Sequence, residues 1–265
     1  MALGWLAAIL TQIGSVIGLG TRPLMPTAHL PAATSKRFRG NFLSWRVDRA
    51  SRAFRIYVVE PGNYQPNVHA TVFGQALSHV IAPPPEPLEL NTAIDRPARS
   101  LPFDLMTFPE AFLPGEELVK ILNSMPRTVS FGCVHVGLRP SDADQHLFQA
   151  TELQDLVRSL RTVPDLQTED LANFSQWLND QASEHYFNVG CFFTIDASRR
   201  LRVCLHPKLV PSKSELSPLP EQNMAEADLV TLITLQPTDP TFFTVNIQPL
   251  LCSDVLHLPT KRLAA

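Results

Sequence analysis

Hydrophobic and polar positions alternate with two different periods along this chain, and together they predict interleaved strands and helices. Short apolar runs rich in Val, Ile and Phe, bounded by Gly, Pro and Asp, are typical of buried strands. They lie at residues 55–59, 103–107, 128–137, 186–195, 201–205, 228–235 and 242–251. Apolar residues at helical spacing predict helices over residues 68–80, 116–122, 152–160 and 170–184. The interleaving indicates an α/β or α+β fold, in which helices cover a sheet.

Local signals set some of the element boundaries. Thr151 and Gln154 have the spacing of a capping box, which predicts the start of the third helix. Residues 196–200 predict a hairpin turn between two strands. Residues 82–87 contain four prolines and predict a loop.

The first fifty residues differ in character from the rest. Residues 2–19 are apolar apart from Thr11, Gln12 and Ser15, and no basic stretch precedes them. Without that stretch the segment is a poor signal peptide, and its glycines and polar residues argue against a membrane span. We expect either a helix packed on the domain or a remnant of an upstream region there, followed by a linker over residues 20–50. The chain therefore divides into an N-terminal part, 1–50, and a domain, 51–265.

Basic and aromatic residues mix at the end of the linker, a composition that can hold phosphates and stack bases. They are Lys36, Arg37, Phe38, Arg39, Phe42, Trp45, Arg46, Arg49, Arg52, Phe54 and Arg55. The whole chain is slightly acidic, with a net charge of −3. One basic patch in an acidic chain favours a solvated arm whose aromatic rings dock on the domain, and disfavours nucleic acid as a partner.

The four cysteines show no close-spaced C-x-x-C pair, so the spacing excludes the usual zinc motifs. Cys133, Cys191 and Cys204 lie within apolar runs, where we expect small buried hydrophobic side chains. Free thiols indicate a reducing, cytoplasmic location. We expect no metal and no cofactor.

Three residues that carry chemistry follow predicted strands, where open α/β sheets place their sites. They are Glu110, Lys208 and Cys252. A carboxylate, an ammonium and a thiol together can attack a carbon–nitrogen bond through a thioester. Each also has an ordinary interpretation: a surface carboxylate, a lysine reaching from a strand end to solvent, and a core cysteine. A Lys in apolar surroundings nevertheless requires a paired anion.

The motifs around these residues resemble the carbon–nitrogen hydrolase (nitrilase/amidase) superfamily over residues 55–255. The most specific motif is Phe108-Pro109-Glu110-Ala111-Phe112-Leu113-Pro114, which is similar to the block around the family's Glu. Residues 187–196, with Leu209-Val210-Pro211-Ser212, resemble the hairpin that leads to the family's Lys. Leu251-Cys252-Ser253-Asp254 resembles the nucleophile block.

The resemblance implies a four-layer α-β-β-α sandwich and a role for each site residue. Glu110 is then the general base and Cys252 the nucleophile. Lys208 favours the thiolate and stabilises the tetrahedral intermediate. Glu215 resembles a supporting second Glu. Ser253, through its backbone N–H, and Asp254 complete the site. The implied partners are a small amide or nitrile substrate and, through homo-oligomerisation, a second copy of the chain.

The chain also departs from the family pattern. Ser253 stands where an aromatic residue is usual, and His206 lies closer than Lys208 to the family's lysine register. We assign the role to Lys208 because residues 206 and 208 share one face of a strand and only Lys is permanently cationic.

The family continues well beyond its Cys and supplies strands of the second sheet there, whereas this chain ends at Ala265. We therefore expect a sandwich that is incomplete at the C-terminus and a chain that is poorly soluble or inactive. The alternative is a catalytically impaired nitrilase-like fragment that acts as an interaction module of a larger protein and touches nucleic acid through residues 36–55. An acyltransferase anchored by residues 2–19 is disfavoured, because a single span is the most this chain offers.

Overall fold

The structure is a computed structural model that describes residues 38–49, 54–59, 66–81, 104–127, 132–142, 145–212, 215–216, 223–251 and 254. It is a mixed α/β protein. The strands are β1 Arg39–Val47, β2 Ile56–Val58, β3 Leu105–Thr107, β4 Leu113–Pro114, β5 Cys133–Arg139, β6 Phe148–Gln149, β7 Tyr186–Phe187, β8 Val189–Ile195, β9 Leu201–Pro207, β10 Leu229–Pro237 and β11 Val245–Ile247. The helices are α1 Pro66–Ile81, α2 Gly115–Ser124, α3 Ala150–Leu160 and α4 Ala172–Asn179, the last preceded by a 3₁₀ turn, Thr168–Leu171.

Two sheets organise these elements. The larger has the strand order β2-β3-β5-β8-β9, with β4 also paired to β5. Its β2, β3 and β5 run parallel, while β8 and β9 form antiparallel pairs. The smaller sheet has the order β1-β10-β11, in which β1 and β10 are parallel. Strands β6 and β7 form a separate antiparallel pair.

Both faces of the larger sheet are buried, which explains why its central strands read as continuous apolar runs. Alternate residues of β5, such as Val134 and Val136, pack in the core that α1 to α4 share with this sheet. The opposite face packs against the smaller sheet. That second core consists of Trp45, Val47, Cys133, Phe192, Cys204, Ile233 and Leu235. The described residues thus form three layers: helices, the larger sheet and the smaller sheet.

The three cysteines expected in the core, Cys133, Cys191 and Cys204, are free and buried, as predicted. The apolar segment 2–19 lies outside the described residues. Within the part of the chain that is described, no helix is both long and apolar enough to cross a membrane.

Residues 39–47 correct the prediction of a linker, because they form β1. This strand pairs along its whole length with β10, from Arg39 opposite Leu229 to Val47 opposite Pro237. Trp45 is buried and lies 5.9 Å from Phe192 between the ring centroids. Alternate side chains of β1 face the core, but the buried residue Asn41 is polar and the exposed residue Phe42 is apolar, so the sequence does not show a clear period-2 pattern.

Two helix predictions were wrong in their boundaries. Helix α3 begins at Ala150, and its capping box is formed by Gln149 and Glu152 instead of Thr151 and Gln154. The backbone N–H of Gln149 donates to Glu152 at 2.8 Å. The start is earlier because Gln149 ends β6, which fixes it in an extended conformation. The helix predicted over 170–184 divides into the 3₁₀ turn and the shorter α4.

Two strand predictions also change. The run 186–195 is broken at Asn188, because β7 pairs with β6 whereas β8 pairs with β5 and β9. The run 242–251 retains only β11, which ends at Ile247. Pro249 has no N–H to continue the ladder. Cys252 therefore does not directly follow a strand, as the apolar run had suggested.

Candidate active site

A tight bend after β3 presents Glu110 beside β5. The N–H of Gly137 on β5 donates to the carbonyl of Pro109 at 3.0 Å. A Cβ atom at Gly137 would lie 2.4 Å from the Cα of Glu110, so the close approach requires glycine. Ala111 has φ 50°, a conformation that is strained for a residue with a side chain. The bend therefore holds Glu110 in a conformation that the surrounding fold maintains.

Lys208 follows β9 directly and its side chain is completely buried. Its Nζ donates to Glu110 Oε1 and to Glu215 Oε2, each at 2.6 Å. Burial alone would lower the pKa of Lys208, but the two carboxylates outweigh it and raise the pKa above its ordinary value. The ammonium has three N–H donors, and two are engaged by these carboxylates.

Glu215 is the second carboxylate on Lys208. It accepts hydrogen bonds from the backbone N–H and the hydroxyl of Ser212, both at 2.7 Å. Burial raises its pKa, but the hydrogen bonds from Lys208, Ser212 and Asn188 together bring it below the ordinary value. Glu215 is therefore ionised at neutral pH, and it balances the charge of the lysine.

Asn188 joins the two carboxylates and was missed by the sequence prediction. Its Nδ2 donates to Glu110 Oε1 at 2.6 Å and to Glu215 Oε1 at 2.8 Å. Its Oδ1 is buried without a hydrogen-bond partner. The signal that could have found it is a polar residue inside the apolar run 186–195, since buried amides are normally satisfied.

Asp254, which is distant in sequence from Lys208, binds the backbone of the two residues that follow that lysine. Its Oδ1 accepts the backbone N–H groups of Leu209 and Val210, both at 2.9 Å, and its Oδ2 accepts that of Leu251 at 3.3 Å. Burial raises the pKa of Asp254 to about 6, although these hydrogen bonds and Lys208 oppose the rise. Asp254 is thereby anchored on the two residues that follow Lys208.

A pair of histidines lies on the same face of the larger sheet as Lys208. The Nε2 atoms of His135 and His206 are 2.9 Å apart, so one ring donates and the other accepts. Burial lowers the pKa of His135 to about 4 and that of His206 well below its ordinary value. Both rings are therefore neutral at pH 7, which supports assigning the cationic role to Lys208.

The structure thus brings together Glu110, Lys208 and Glu215, with Asp254 nearby on the chain segment that carries the thiol. Cys252 and Ser253 lie outside the described residues. Of the basic and aromatic cluster, Lys36, Arg37 and Arg52 also lie outside them.

The described members of that basic cluster are partly engaged within the fold. Trp45 is buried and its face cannot meet a base. The Arg49 side chain is almost fully buried and pairs with Asp104 at 3.2 Å. No group of three or more His, Cys, Asp or Glu side chains with the arrangement of a metal site occurs in the described part of the chain.

Comparisons of this chain with family models, with curated proteins and with solved structures give no significant match.

Proposed function

We propose that this chain is a cysteine hydrolase of carbon–nitrogen bonds that acts on an amide or nitrile through a thioester. The observation that carries the proposal is the fully buried Lys208 ammonium, held by two carboxylates at 2.6 Å. A buried charge of this kind is expensive to maintain and is typical of a functional site. The motif resemblance around Glu110 supports the same class of reaction.

The roles follow from the contacts. Glu110 keeps a partly exposed side chain, 24% accessible, whereas Glu215 is only 9% accessible and is tied to Ser212. Glu110 is therefore the general base that takes the thiol proton of Cys252, and Glu215 is the supporting carboxylate. The third N–H of Lys208 remains to stabilise the oxyanion that develops on an attacked amide, or the thioimidate nitrogen that develops on an attacked nitrile.

The described chain neighbours of Cys252, Leu251 and Asp254, support its assignment as the nucleophile. The Asp254 carboxylate binds the N–H groups of Leu209 and Val210, which follow Lys208. Cys252 follows Leu251 by a single peptide unit, which spans about 3.8 Å between Cα atoms. With an amide, the thiolate attacks the carbonyl carbon, and ammonia or an amine leaves with the proton that Glu110 took from the thiol. With a nitrile, the attack gives a thioimidate, which takes up one water and releases ammonia to reach the same thioester. A further water then hydrolyses the thioester to an acid and free thiol.

The proposed architecture is a nitrilase-like α-β-β-α sandwich. The three described layers, helices on the larger sheet and the smaller sheet on its other face, support this proposal. The fourth layer would cover the outer face of the smaller sheet.

Intact-mass detection of a thioester adduct tests the activity, with a panel of amides and nitriles as substrates. We expect one adduct, located at Cys252, because burial raises the thiol pKa of Cys133, Cys191 and Cys204 and withholds them from reaction. Cys252→Ala should abolish the adduct and the turnover, with Cys204→Ala as the matched control that keeps both. Turnover in Cys252→Ala within about tenfold of the parent would reject the assignment.

A further inference from the structure

We propose that Asn188 is a positioning residue of this site, whose neutral amide bridges Glu110 and Glu215 and keeps both ionised beside Lys208. The inference rests on the proposed function, since it assigns Asn188 the task of keeping Glu110 ready to take the proton of Cys252. Asn188 and Lys208 each donate to both carboxylates.

The four side chains form a closed ring of hydrogen bonds. Glu110 Oε1 accepts from Lys208 Nζ and from Asn188 Nδ2, each at 2.6 Å. Glu215 accepts from Lys208 through Oε2 at 2.6 Å and from Asn188 through Oε1 at 2.8 Å. Two carboxylates that would repel each other are therefore joined by two donors, of which one is charged and one is neutral.

The chemistry of the amide suits this position. An amide supplies two N–H donors without adding charge, so it leaves the ring with two negative groups and one positive group. A second ammonium there would pair fully with Glu110 and weaken it as a base. A carboxylate would add repulsion and favour protonation of its neighbours. Only a neutral double donor leaves Glu110 both ionised and basic.

The orientation of the amide is set by the ring. Ionised carboxylates accept hydrogen bonds and cannot donate them, so Nδ2 must face Glu110 and Glu215. A flipped amide would point Oδ1 at both carboxylates. In the observed orientation Oδ1 is buried without a partner. The side chain therefore leaves its own acceptor without a partner while Nδ2 donates to both carboxylates.

The backbone holds Asn188 in register with Lys208. The N–H of Lys208 donates to the carbonyl of Asn188 at 2.8 Å. The break between β7 and β8 falls at Asn188, where the chain changes strand partners. Four charged or titratable side chains lie around the bridge: Glu110, Lys208, Glu215 and Asp254. The histidine pair, His135 and His206, lies on the same face of the larger sheet.

The test compares Asn188→Ala with Asn41→Ala by the pH dependence of Cys252 alkylation by iodoacetamide. Asn41 is a matched control, because it is a buried Asn between the two sheets that donates to Thr231 at 3.3 Å, away from this ring. On the acid side of the profile, which we call the acid limb, the alkylation rate falls as the pH falls. We expect the acid limb of Asn188→Ala to lie about one pH unit higher than that of the parent, which makes alkylation about tenfold slower at a given pH on that limb. Asn41→Ala should leave the limb in place. An unmoved limb in Asn188→Ala would overturn the proposal.

A second readout separates this inference from the proposed function. In a Cys252→Ala background no thiol chemistry remains, and urea unfolding is followed as the pH falls from about 5 to about 3. Because the bridge favours ionised carboxylates in the folded state, acidification should destabilise the parent more than Asn188→Ala. Equal losses would overturn the bridge.

Absence of any Cys252 adduct, with unequal losses on acidification, would reject the hydrolase and leave the bridge standing. If Asn188→Ala fails to fold, Asn188→Asp decides the question. It keeps the shape of the side chain but adds a carboxylate, and it should move the acid limb further in the same direction. An unmoved limb in Asn188→Asp would overturn the proposal as well.

Discussion

Lys208→Met is the perturbation that tests the site most directly, because it removes a buried ammonium while keeping the length of the side chain. Two ion pairs of 2.6 Å are lost, and the carboxylates of Glu110 and Glu215 then face each other across an apolar side chain. Breaking a buried pair by deleting one partner costs about 3–5 kcal/mol. Glu110 is 24% exposed and regains some hydration, which places the expected loss near the lower end of that range.

The assay is equilibrium unfolding in urea. For a domain of this size a loss of about 3 kcal/mol lowers the urea midpoint by about 1–2 M. The matched control is Lys120→Met, because Lys120 pairs with Glu117 at 2.7 Å on the surface of α2. Surface pairs of this kind contribute little, so the control should unfold close to the parent.

The pH dependence of the loss provides a second criterion. The pKa of Glu215 lies below its ordinary value of 4.5 in the folded parent, so its stabilising contribution is present above that pH and fades as the pH falls through the folded value. In Lys208→Met the carboxylates gain stability on protonation. The difference between parent and variant should therefore shrink on acidification.

A loss below about 1 kcal/mol that does not change with pH would refute this reasoning, since a buried and desolvated ion pair cannot behave as a surface pair does. Adding Glu215→Gln to Lys208→Met should recover part of the lost stability, because the second change removes one of the two opposed charges.

Three further changes give sharp expectations. Gly137→Ala places a Cβ atom 2.4 Å from the Cα of Glu110, so we expect a loss of about 1–3 kcal/mol in urea unfolding and slower Cys252 alkylation; an unchanged midpoint would contradict the tight bend. Gly190→Ala places a Cβ atom 2.4 Å from Nε2 of His206 and should separate the histidine pair, which the imidazole NMR signals will report; unchanged signals would contradict it. Asp254 has its pKa raised from 3.8 to about 6, so the folded state binds the extra proton, and relative to Asp254→Asn the parent should lose up to about 3 kcal/mol as the pH rises through this window. Asp254→Asn should abolish that fall, and an identical profile in the two proteins would show that the carboxyl is not buried as described.

Much of the larger sheet could be predicted from local pattern. Strand β9 and the hairpin turn before it follow from an apolar run and the turn residues beside it, which act over a few positions. The pattern also located Glu110 and Lys208 after β3 and β9. The role of β1 could not be predicted in this way, because the strand buries the polar Asn41 and exposes the apolar Phe42, against the usual alternation.

The sequence by itself determined the mixed α/β class, the positions of most strands and the residues able to carry acid–base chemistry, because periodicity and turn chemistry depend on near neighbours. Only the tertiary structure decided which side chains meet. Glu110 and Lys208 are separated by 98 positions in the chain, and Asp254 binds backbone groups at Leu209 and Val210. Asn188 acquires its role only when the chain changes strand partners beside Lys208. Such contacts depend on strand pairing between distant segments, and no local pattern records them.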